Sequence, residues 1–208
     1  MWQQLHDELS DHGFTVIAVA IDADIDAVRP WAEGLSIPVG VDTDFSVAET
    51  YGIVNVPASV WIDEDGRIVR PADTAMADDR FRAFTSIDSA VHHQALRSWV
   101  REDTRDVDDD AVRHHQLTPS ADLQTARLHR RIALALRDRG DDDGMTEHLD
   151  SAEALAPFDW TIRRGNMPLR DRDPFGPDFF DFMAEFNAAG RPGYYTLGTG
   201  SVESTDGP

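Results

Sequence analysis

With 208 residues, 41% of them hydrophobic, the chain is long enough to bury a real core, and its length suits one larger domain and one smaller one. Its 39 acidic side chains against 19 basic ones, a net charge of −20, repel nucleic-acid backbones and anionic membrane surfaces, which excludes those partners and leaves a protein or a small molecule. No cysteine is present, so disulfides, zinc-thiolate sites and a thiol nucleophile are excluded within these residues.

No run approaches the roughly eighteen consecutive apolar residues of a membrane span, and the N-terminus lacks a basic-then-apolar secretory pattern, so a cytoplasmic protein is expected. Every basic residue is Arg. The acidic surface is read as a solvated one and not as a recognition site.

Trp2, Leu5 and Leu9 stand at helical spacing with Gly13 beyond them, which predicts a short first helix. Residues 14–21 (FTVIAVAI) are almost wholly apolar and β-branched, the pattern of a strand buried on both faces of a sheet. Ile25, Val28 and Trp31 predict a second helix ending near Gly34. Residues 37–41 form a short extended piece, and residues 45–51 a helical turn. Residues 59–62 and 67–70 flank the turn Asp63-Glu64-Asp65-Gly66 and predict an antiparallel hairpin. Residues 71–86 are expected to be an irregular insertion, and Ile87, Val91, Leu96, Trp99 and Val100 to line an amphipathic helix that closes the α/β unit, residues 1–104.

Six of the nine residues from 102 to 110 are acidic, so residues 105–118 are expected to be a linker. A helical domain follows over residues 119–190. Pro119 opens its first helix, with Leu128, Ile132, Ala135 and Leu136 on one face and Gly140 as the stop. Met145, Leu149, Ala152 and Leu155 repeat the stripe up to Pro157. The pair has the spacing of a single tetratricopeptide-like hairpin, although one unit without neighbours is weak evidence of a functional repeat. Gly176-Pro177 opens a helix whose Phe179, Phe182, Met183 and Phe186 form an aromatic face, expected to dock on its own domain. Residues 191–208 are expected to be a loose tail. The pairs His92-His93 and His114-His115 point to different sides of a helix, so no metal site is expected, and no phosphate loop or Ser-His-Asp arrangement stands out.

Three ordered stretches, residues 5–22 (LHDELSDHGFTVIAVAID), 37–52 (IPVGVDTDFSVAETYG) and 53–69 (IVNVPASVWIDEDGRIV), resemble the redoxin branch of the thioredoxin-like superfamily. Its members include AhpC/TSA antioxidant proteins and TlpA/ResA-like thiol-disulfide proteins. The third stretch is the most specific: a Gly-Ile lead-in, a proline before a hydrophobic strand, then Asp-x-x-Gly and another strand. The resemblance implies a thioredoxin-like three-layer α/β sheet with helices on both faces, N-terminally truncated, followed by the small all-α domain. It also implies a cis bond before Pro57 and a substrate-binding groove at Asn55, Val56 and Pro57, where free backbone pairs with an extended peptide.

The departure from the family is large. Its first strand and its Cys-x-x-Cys helix start precede the helix that here begins at Trp2, and that strand is central to the family's sheet. The resemblance therefore implies a nucleophile upstream of Met1. A sharper form of this expectation is selenocysteine, whose UGA codon an automated reading frame would take as a stop. On this reading the chain is a thiol or selenol disulfide or peroxide oxidoreductase, redox-inactive as it stands, without cofactor, and acting on a thiol/disulfide protein or a peroxide. The other reading is a redox-dead protein-binding module that uses the Pro57 groove and the C-terminal helices. An open sheet would also let a second copy add a strand, giving a homodimer.

Overall fold

The computed structural model describes residues 1–22, 24–116 and 118–190; the expected tail, 191–208, lies outside them. The chain divides into two compact units between residues 116 and 117.

The first unit opens with helix α1 (Trp2–Leu9), whose Leu5 and Leu9 are fully buried. A 3₁₀ turn over Ser10–His12 ends at Gly13, where φ of 78° suits a residue without Cβ. Strand β1 (Ala18–Ala20) pairs in parallel with β2 (Val39–Val41), Ala18 opposite Val39. Between them runs α2 (Ile25–Ala32), capped by the Asp24 carboxylate on the Asp26 N–H. None of its residues is buried, and Trp31 is 83% exposed. The strand expected over residues 14–21 is thus shorter and far less covered: Ile17 and Val19 are exposed. An apolar run records β preference, but burial on both faces requires neighbours that β1 does not have.

Helix α3 (Ser46–Thr50) is held by buried Asp42, which accepts the Ala48 N–H at 2.9 Å. The hairpin of β3 (Ala58–Ile62) and β4 (Ile68–Thr74) forms as expected around Asp63, whose carboxylate accepts the N–H groups of Asp65 and Arg67. β4 runs further than expected, because Ala58 pairs with Thr74 and the Ala75 N–H reaches the Pro57 carbonyl at 3.1 Å. The supposed insertion 71–86 is therefore strand to Thr74, then a 3₁₀ turn (Asp79–Phe81) and the short α4 (Arg82–Thr85). Helix α5 (Ser89–Glu102) closes the core of Leu5, Leu9, Trp61, Val69 and Leu96.

The described strands make two separate two-stranded ladders, β1 with β2 and β3 with β4, so the strand expected between residues 14–21 and 59–62 is not among them. One expectation is corrected here. The segment 105–118, expected as a solvated linker, contains α6 (Asp109–His115), which packs against β4 and buries Val107 and Val112. Two valines among aspartates suffice because the carboxylates serve the fold: Asp108 caps α6 and Asp106 pairs inward with Arg70.

The second unit is helical. α7 (Ala121–Arg137), capped by Ser120, and α8 (Asp142–Leu155), capped by Asp141, form a hairpin through Gly140, whose φ is 74°. They pack through Ala126, Ala133, Leu149 and Ala152, all fully buried. The face expected for α7 is corrected: Leu128 and Ile132 are 57% and 44% exposed, because close approach of α8 selects the small side chains one step round the helix. α9 (Trp160–Arg163) and α10 (Pro177–Ala188) complete the unit. Phe179, Phe182 and Phe186 are buried with Met167 against Phe158 and Trp160, as expected for an aromatic core. No helix among the described residues is long and apolar enough to cross a membrane.

Candidate functional site

The loop between α3 and β3 carries the three residues singled out in the sequence. Its entrance is fixed by the Ile53 N–H on the Ala48 carbonyl at 2.8 Å, and its exit by the pairing of Pro57 with Ala75. Between these anchors the Val56–Pro57 peptide bond is cis. Val56 is 56% exposed and Val54 38%, Pro57 is exposed, and Asn55 is half-buried. Among the described residues neither backbone group of Val56 has a hydrogen-bonding partner. An exposed apolar side chain beside free N–H and C=O groups is the arrangement that receives an extended peptide by strand addition.

Behind the loop lies a polar cluster that the sequence did not disclose. Ser59 Oγ stands 3.1 Å from Nε2 of His92 on α5. The His92 ring is enclosed edge-on by Trp2 and Trp61, and among the described residues its Nδ1 has no partner. Burial, and after it the Arg70 charge and the His93 ring, push its pKa down to about 3. Burial thus favours the neutral imidazole, and among the described residues no carboxylate meets Nδ1 as it does in a Ser-His-Asp triad. The adjacent His93 places Nε2 3.1 Å from the Met76 carbonyl, and burial lowers its pKa as well.

Arg70, 2% exposed, lies over the Trp61 ring at 4.7 Å, and Trp61 stacks on Trp99. Its Nε and Nη2 both donate to Asp73 Oδ2, at 3.1 and 2.9 Å, and its Nη1 donates to Asp106. These partners lie 33 and 36 residues apart for the Ser59–His92 and Arg70–Asp106 pairs. No local pattern could have announced them.

Among the described residues no three His, Asp or Glu side chains converge, and the chain has no cysteine. Among the described residues the loop thus presents exposed apolar side chains and unpaired Val56 backbone groups beside the β3–β4 hairpin.

Residues 2–87 match the Redoxin family model. Among curated proteins, the thiol-disulfide oxidoreductase ResA of Bacillus thuringiensis subsp. konkukian is 29% identical over 69 residues, 32% of this chain and 40% of that protein. The thiol-disulfide oxidoreductase ResA of Halalkalibacterium halodurans is 28% identical over 87 residues, 41% of this chain and 49% of that protein. The chain thus matches less than half the length of either relative. No solved structure matches it. The family match spans α1 to α4 and includes the Val56–Pro57 loop, so residues 2–87 form a redoxin-like region.

Proposed function

We propose that the chain carries the scaffold of a redoxin-type thiol or selenol oxidoreductase that reduces disulfides or peroxides, with its nucleophile supplied by residues outside these 208. The observation that carries this reading is a redoxin-like region that contains no cysteine. Disulfide and peroxide reduction both need a thiolate or selenolate to attack sulfur or oxygen, and no other side chain here replaces it. By itself the chain is redox-inactive. Its share of the chemistry is to hold a substrate: Val56 offers backbone hydrogen bonds to an extended protein segment, with Asn55 and Pro57 on either side of it.

The test compares the 208-residue protein with one extended upstream in the same reading frame. The expected result is no reduction of a protein disulfide or of hydrogen peroxide by the short form and turnover by the extended one. An extended form that carries neither cysteine nor selenocysteine, and that turns over neither substrate, overturns the proposal. It would favour the second reading, a redox-dead module that binds protein through the Pro57 groove and the C-terminal helices. The exposure of Val54, Val56, Leu128 and Ile132 favours that second reading.

A further inference from the structure

In the second unit, His129 on α7 and His148 on α8 bring their Nδ1 atoms to 2.8 Å, with ring centroids 4.9 Å apart. Both rings are half-buried and reachable from solvent. The helices beneath them are locked by fully buried Ala126, Ala133, Leu149 and Ala152, which occupy the adjoining turns, so the two imidazoles are presented by a stiff hairpin. Two neutral rings at this distance share one proton between the Nδ1 atoms. The same two lone pairs can instead meet at a metal ion.

The 2.8 Å separation is that of a hydrogen bond and does not select an ion; the affinity order of imidazole sites does, ranking copper(II) ahead of nickel(II) and zinc(II). We propose that His129 and His148 form a two-imidazole site for a tetragonal divalent ion, copper(II) before nickel(II), with water in the remaining positions. On binding, the shared Nδ1 proton passes through solvent to Nε2, each ring turns its Nδ1 lone pair to the ion, and both rings stay neutral. No oxidation state changes.

The test uses the full chain and the metal salts alone. Calorimetric titration with copper(II), nickel(II) and zinc(II) is expected to show one strongest copper site, at least tenfold weaker in His129→Ala and in His148→Ala and unchanged in a His114→Ala/His115→Ala control. Electron paramagnetic resonance of the unsubstituted protein with one equivalent of copper(II) gives a readout independent of any variant, and two coordinated imidazole nitrogens are expected. A spectrum of oxygen donors or of a single nitrogen, zinc bound more tightly than copper, or an affinity that survives His148→Ala would overturn the assignment.

Discussion

Ser59 on β3 and His92 on α5 meet at 3.1 Å, two residues beyond the cis proline, and the imidazole is held neutral by its burial. The pair fastens the strand that follows the candidate groove to the closing helix of the first unit.

Acid should expose this contact. The His92 ring titrates near 3 when folded and near 6.5 when unfolded. Well above pH 6.5 the ring is neutral in both states and the stability is complete. Below it the unfolded chain takes up a proton that the folded protein refuses, and stability falls towards pH 3 by up to about 1.4 kcal/mol per pH unit. The lowered pKa values of His93 and His115 act in the same direction. Urea midpoints measured between pH 7.5 and 5 should decline, and His92→Gln should flatten the decline; equal slopes would show that His92 does not titrate as described.

Arg70 neutralises Asp73 and Asp106 inside the first unit. Arg70→Met would strip both carboxylates of their shared cation, a loss of about 3–5 kcal/mol for a buried pair broken from one side. Asp106→Asn should cost less, because its side chain keeps 19% exposure and Asp73 still faces the guanidinium. Chemical unfolding of the two variants checks the order.

Gly165 is required by space and not by backbone angle. A Cβ there would stand 2.1 Å from the Thr161 carbonyl oxygen and 3.0 Å from Nη2 of Arg130. That guanidinium donates to the Gly165 carbonyl and to buried Asn166, whose amide donates in turn to Glu153. Gly165→Ala should therefore destabilise the second unit by about 1–3 kcal/mol, the usual cost of overpacking. A melting curve followed by the Trp160 environment would report it, and an unchanged midpoint would mean the turn relaxes freely.

In an upstream-extended, redox-active form, Val56→Glu should leave stability within about 0.5 kcal/mol of the parent, as for most exposed positions. It should lower kcat/KM for a protein disulfide about tenfold, the effect of losing roughly 1.4 kcal/mol of groove contact, and leave peroxide reduction nearly unchanged. Equal losses for both substrates would place Val56 outside peptide binding.

Much of this architecture is legible in the sequence, because it is local. Helix spacing at Leu5 and Leu9, the Asp63-to-Gly66 turn, the α7–α8 hairpin and the aromatic stripe of α10 are written in residues a few positions apart, and the redoxin resemblance of residues 5–69 placed the Val56–Pro57 loop. What stayed hidden depends on partners distant in the chain. An apolar run over residues 14–21 cannot state how many neighbours its strand will have, and an aspartate-rich stretch cannot state that Asp106 turns inward to Arg70. Leu128 and Ile132 marked an apolar face of α7, yet the closeness of α8 chose alanines. The Ser59–His92 and His129–His148 contacts join side chains 33 and 19 residues apart. Periodicity and charge act along the chain and so set which elements form; burial and side-chain convergence act across space, and they are settled only when those elements pack.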